Sequence, residues 1–149
     1  MSAESPAPAD DPIHVDLSLE IPSDVSYIEQ IVTLVARQCE QLGFPPRKVK
    51  LNVPVALTEA LSNAILRGNE SKAELPVHVR VHADHERLVI EVRDQGEGFD
   101  LEDSTHTPDE DDFLEREDGR GLFLMRKLMD RVERFDDHGN VVRLTLQRA

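Results

Sequence analysis

The chain has 149 residues, enough for one domain with a real core. Its 30 acidic residues outnumber 17 basic ones, a formal charge of −13, which argues against nucleic acid or an anionic membrane as a partner. A basic protein, or a polyanionic ligand held locally by a metal ion and backbone amides, fits that charge. Aromatic residues make up 4% and Trp is absent, so Val, Leu, Ile and Ala must build the core. The single cysteine, Cys39, excludes an internal disulfide and offers no zinc cluster. Residues 1–12 hold three prolines and three acids without an apolar segment, so they read as a disordered tail and not as a signal peptide. No apolar run approaches a membrane span. The expectation is a cytoplasmic protein with one domain over 13–149.

In chain order, Ile13, Val15, Leu17, Leu19 and Ile21 alternate with His14, Asp16, Ser18 and Glu20, the pattern of a strand with one wet face. Pro22 ends it, and Ser23 is placed to cap a helix. Val25, Ile28, Val32, Val35, Cys39 and Leu42 then share one helical stripe, with Gly43 as the stop. On that stripe Cys39 reads as core and not as a reactive thiol.

Pro45 and Pro46 open a second helix that runs to Gly68 and Asn69. Pro54 inside it removes one backbone hydrogen bond and crowds the preceding turn, which predicts a kink or a restart there. Leu57, Leu61, Ala64 and Ile65 keep the helical period. Glu59 and Asn63, four apart, project within about 40° of each other beside Ala56, Ala60 and Ala64. Burying either without a partner costs several kcal/mol. Taken alone, this segment fits either a site at the rim of the core or a solvated helix face.

Two strands follow. Val77, Val79, Val81 and Ala83 face inward on the first, and Leu88, Ile90 and Val92 on the second, with the turn Asp84-His85-Glu86-Arg87 between them. His78 and His82 lie on the wet face and read as solvated, since no third ligand is offered at close spacing. In the same register Asp94 points toward the helix layer, where a carboxylate demands a donor. Gln95-Gly96-Glu97-Gly98 comes directly after it, and the two glycines leave room for a flat ligand against the backbone.

Residues 100–118 hold ten acids against one base, Arg116, and read as a mobile loop with a short helical turn around Phe113-Leu114. Gly119-Arg120-Gly121 opens a helix carrying Leu122, Met125, Leu128 and Met129, and backbone amides at such a start suit phosphate oxygens. A closing hairpin around His138-Gly139-Asn140 points Val142, Leu144 and Leu146 inward. Together these elements predict an α+β, two-layer sandwich. Its sheet is mixed but mostly antiparallel, covered on one face by about three helices.

Glu-x-x-x-Asn on a helix, Asp-x-Gly-x-Gly after a strand, an acidic loop and Gly-x-Gly-Leu opening a helix, in that order, resemble the GHKL ATPase superfamily (Bergerat fold), which includes gyrase and histidine kinases. The run GRGLFLMRKLMDRVE and the single-domain length look more narrowly like the anti-sigma-factor serine/threonine kinases of the RsbW type. The resemblance covers Asp16 to Gln147. It implies ATP and Mg²⁺ as cofactors, with Asn63 as metal ligand, Asp94 binding the adenine amino group, and Gly96 and Gly98 lining the base pocket. Gly119 and Gly121 would cradle phosphate. The resemblance extends the site to Arg67, where a histidine is common, and to Arg120 and Leu122 of the second glycine motif. Glu59 would be the general base, drawing a proton from the hydroxyl of an anti-anti-sigma (STAS) protein. A sigma factor would be the other partner, and the protein a homodimer. The family kinases carry an arginine early in the first helix, but Asp24–Ala36 contains none. An alternative is therefore a nucleotide-binding partner-switching module with little or no transfer.

Overall fold

The structure, a computed structural model, describes residues 13–96 and 117–149, the side chains of 117–119 excepted. The expected tail and most of the acidic loop, with its turn at Phe113-Leu114, lie outside the described residues. Five strands, β1 (Val15–Ile21), β2 (Val77–Ala83), β3 (Arg87–Asp94), β4 (Arg131–Asp136) and β5 (Asn140–Gln147), form one sheet in the order β1-β2-β3-β5-β4. Helices α1 (Ile28–Gln41), α2 (Val53–Asn63) and α3 (Glu117–Leu128) supply the second layer.

Every pairing among the described residues is antiparallel, so the expected mixed sheet is corrected. The reason lies in the connections. Two helices separate β1 from β2, and an even number of crossings returns the chain reversed beside its starting strand. The inward residues are those the alternation predicts: Val77, Val79, Val81, Leu88, Ile90, Val92, Leu144 and Leu146 are buried. As an edge strand, β1 buries its apolar face only in part until Ile21.

The first helix departs from its expected start. Ser23 does not cap it; its hydroxyl donates to the Leu75 carbonyl at 2.6 Å, drawn away by a loop remote in sequence. Asp24 caps instead, accepting from the Ser26 amide at 2.9 Å, and a single tight turn, Val25–Tyr27, precedes α1. Val25, assigned to the stripe, is left exposed, while Ile31, Val35, Cys39 and Leu42 are buried. Gly43 ends the helix with φ of +87°, a torsion that favours glycine. Burial pushes the Cys39 thiol up to about 12, as fits a core residue.

Pro54 does not break its helix. The turn before it, Lys48–Asn52, widens by one residue, and the Val53 amide reaches back to the Lys48 carbonyl. The extra residue absorbs the missing proline hydrogen bond. A second wide turn, Ala64–Gly68, ends the helix, with Asn69 N–H donating to Ala64 O at 2.9 Å. α2 packs against both α1 and α3, and its small Ala56, Ala60 and Ala64 allow close approach while Leu57, Leu61 and Ile65 fill the core. Full burial of each of those three large side chains contributes about 1.5–3 kcal/mol.

On the opposite face of the sheet the polar residues pair with one another. His82 Nδ1 lies 2.8 Å from Asp16 Oδ1, and Arg143 bridges Glu91 at 2.8 Å and Glu133 at 3.5 Å. No helix among the described residues is long and apolar enough to cross a membrane.

Candidate functional site

The helical pattern of α2 delivers the first group of polar side chains. Glu59 and Asn63 stand one turn apart, both half-buried, and Ser62, Leu66 and Arg67 extend the same flank. Arg120, Gly121 and Leu124 of α3 form the facing wall, leaving a cleft of about 540 Å³. α3 approaches this closely because Gly121 has no side chain. A Cβ there would stand 2.7 Å from Glu59 Oε1 and 3.3 Å from Asn63 Nδ2.

Gly119 and Arg120 lie in the first turn of α3, where backbone N–H groups lack acceptors within the helix. Leu122, the sixth residue of that helix, turns its side chain into the core and lies past the turn whose N–H groups lack acceptors, so the structure does not bring it to the cleft. The chemistry of the cleft suits a phosphate chain with a hard cation. A carboxamide oxygen can ligate the cation, a carboxylate can take up a proton, and two guanidinium groups with helix-start amides can meet phosphate oxygens.

The second group sits where the helix that carries Asn63 ends against the sheet. Asp94, the last residue of β3, is 7% exposed and faces inward as its register requires. Its Oδ1 accepts from the Gly96 amide at 3.1 Å and from Asn140 Nδ2 at 3.0 Å. Burial pushes the Asp94 carboxyl above its ordinary range, opposed by those two hydrogen bonds and by the attraction of Arg134. Gly68 lies against the Asp94 carboxylate, and Gly96 against the Gly68 carbonyl, so closely that a Cβ on either glycine would collide. These contacts form a shallow floor of bare backbone beside one carboxylate. Gly98 falls outside the described residues.

Sequence reasoning missed two members of this group. Asn69, read only as a helix end, is 1% exposed and fully engaged. Its Nδ2 donates to Ser23 Oγ at 2.8 Å, Pro76 O at 3.1 Å and Leu75 O at 3.2 Å, while its Oδ1 accepts from Gln95 N–H at 2.7 Å. It thereby ties the turn after β3 to the end of the helix. Asn140, read as a hairpin residue, stands directly across from Asp94. A polar residue opening the last strand was the available signal, but only the register shows that it meets Asp94. In this way the structure brings Glu59, Asn63, Arg67, Arg120 and Gly121 around one cleft. Asp94 and Gly96 lie together at the far end of the same helix.

Residues 21–146 match the model of the histidine kinase-like ATPase domain. The chain is 26% identical over 138 residues to the serine-protein kinase RsbW of Listeria innocua, covering 89% of this chain and 87% of that one. It is 28% identical over 137 residues to the serine-protein kinase RsbW of Oceanobacillus iheyensis, covering 87% and 84%. Among solved structures, the RsbU and RsbW domains of a Mycobacterium tuberculosis protein superpose with a TM-score of 0.63 at 13% identity, over 91% of this chain. The chain spans 33% of that longer protein, and the likeness bears on the fold. With the family match over most of its length and the two-layer fold in place, the chain belongs to the histidine kinase-like ATPase domain family and resembles its RsbW-type members.

Proposed function

We propose that this chain binds ATP with Mg²⁺ and transfers a phosphoryl group to a serine or threonine of an anti-anti-sigma (STAS) protein, alternating between that partner and a sigma factor. The observation that carries the reading is the convergence of Glu59, Asn63, Arg67, Arg120 and Gly121 on one cleft, with the buried carboxylate of Asp94 at the end of the same helix. Relatives named serine-protein kinase over nearly the whole chain support it.

Each residue then has a physical task. Asp94 receives the exocyclic amine of adenine above the backbone floor of Gly68 and Gly96. Asn63 offers a carboxamide oxygen to Mg²⁺. Bound Mg²⁺ neutralises charge on the phosphate oxygens. Arg67, Arg120 and the first-turn backbone amides of Gly119 and Arg120 orient the phosphates from both walls, and Gly121 keeps the cleft clear by lacking a side chain. Glu59 takes the proton of the attacking hydroxyl, for which position at the cleft matters more than a tuned pKa. Gly98 belongs to the base pocket in the same reading, and the active protein is a homodimer in the cytoplasm.

The test is incubation with labelled ATP, Mg²⁺ and a STAS partner. Label should move to the partner and be lost in Glu59→Gln; undiminished transfer in that variant refutes the base assignment. A second reading, sequestration that depends on nucleotide but involves no transfer, is favoured by the absence of arginine in α1 before Arg37. Tight ATP binding without any transfer of label would select it.

A further inference from the structure

Asn140 opens β5 opposite Asp94, and both hydrogens of its amide nitrogen are engaged. One goes to Asp94 Oδ1 at 3.0 Å and the other to the Gly96 carbonyl at 3.1 Å. Since both neighbours are acceptors, only the NH₂ side of the amide can face them, which settles its orientation chemically. The Gly96 amide is a second donor to the same Oδ1, at 3.1 Å. That oxygen therefore has two donors. Oδ2 lies over Gly68 and receives no hydrogen bond among the described residues.

We propose that Asn140 is the positioning residue of the base pocket: by bridging Asp94 Oδ1 to the Gly96 carbonyl, it holds the carboxylate so that Oδ2 is the oxygen presented to an exocyclic amine. The inference rests on the nucleotide reading above and deepens it. Without the bridge, the carboxyl is free to turn about its Cβ–Cγ bond and divide the remaining donor between its oxygens. The glycine turn would also lose its tether to β5. A buried carboxylate with fewer donors is also more easily protonated, and a protonated carboxyl competes poorly for an amine hydrogen.

Among the described residues, few groups face Asp94. Gly68 comes from the helical turn and Asn140 from β5; neither titrates. Arg134 on β4 supplies the attraction of a cation, and the exposed Asp136 pairs with Asn140 on the same edge.

The experiment measures ATP binding to the full chain with Mg²⁺ by titration calorimetry, from acid to neutral pH. Asn140→Ala should weaken ATP about tenfold at neutral pH and lose binding at a higher pH than the parent. Asn140→Asp keeps the shape but sets a second carboxylate beside Asp94. It should bind worst at neutral pH and recover as pH falls, because one shared proton restores a donor between the two oxygens. Opposite pH slopes in the two variants are something a merely structural role would not produce. Melting temperatures show which variants fold.

Affinity within twofold of the parent in both variants, with the parental pH dependence, overturns the proposal. Should the parent itself bind no ATP, the nucleotide reading fails. In that case the Asp94 carboxyl is followed by carbon NMR in the free protein. An upward-shifted titration in Asn140→Ala then supports the bridge, and an unmoved one overturns it.

Discussion

Around Asp94 the fold supplies its own hydrogen bonds: Asn69 makes four, Asn140 two, and Asp94 Oδ1 accepts two. Asp94 and Asn69 are also buried, whereas in the cleft between α2 and α3 Glu59 and Asn63 are half-buried and Arg67 and Arg120 exposed around open volume. The difference follows from solvation. A carboxylate taken out of water must be met by donors that the fold itself provides, whereas groups lining an open cleft keep contact with solvent. The sheet end is thus enclosed by the fold, while the cleft stays open to solvent. Affinity for the base and transfer of phosphate should therefore be separable by mutation.

The largest expected effect is on the open end. Glu59→Gln should slow transfer by about 10²–10⁴-fold while ATP affinity and melting temperature stay near the parent, as calorimetry and thermal unfolding would register. A parallel loss of affinity would mean that the two ends are not separable.

Next comes Asp94→Asn, expected to weaken ATP by roughly 10–100-fold, in line with the worth of a hydrogen bond to a charged group. Stability should move the other way. Burial raises this carboxyl above its unfolded value, so the folded state holds the extra proton between those two values. The contribution of Asp94 to stability is therefore present at low pH and declines as pH rises through the raised value. Asp94→Asn should remove that decline, leaving the variant at least as stable as the parent at neutral pH. The exposed Asp16 and Asp24 act in the opposite sense and in a lower window. His82 and the Ser26 amide hold them below the usual carboxylate range, and their contribution fades as pH falls through the depressed values. Urea titrations at several pH values would separate these windows, and an unchanged pH profile in Asp94→Asn would contradict the assignment.

The smallest effect should come from Asn69→Ala, which leaves the Gln95 amide without its acceptor and removes the donor shared by Ser23 Oγ, Leu75 O and Pro76 O. A cost of about 1–3 kcal/mol is expected, seen as a lower melting temperature, with transfer chemistry intact once the protein is folded. Normal stability in this variant would mean that the sheet end is not held by Asn69.

Much of this was legible from one dimension. Glu59 and Asn63 carry their spacing on one helix, and Asp94 inherits its inward direction from Leu88, Ile90 and Val92 by simple alternation. Gly43 marks its helix end with a torsion that glycine favours. Ser23 misled because its hydroxyl had a competing acceptor, Leu75 O, 52 positions away. Pro54 misled in degree only, since a helix can widen by a residue instead of breaking.

What the sequence determined by itself was every feature set by near neighbours: the period of each strand and helix, the polar pair on α2, and the glycine turns. The tertiary structure alone decided the antiparallel strand order among the described residues, the seating of Gly96 on Gly68, and the meeting of Asn140 with Asp94. Those depend on which residues packing and register bring together far along the chain, 46 positions in the case of Asn140 and Asp94. No local period encodes that distance; it follows from packing the whole core at once.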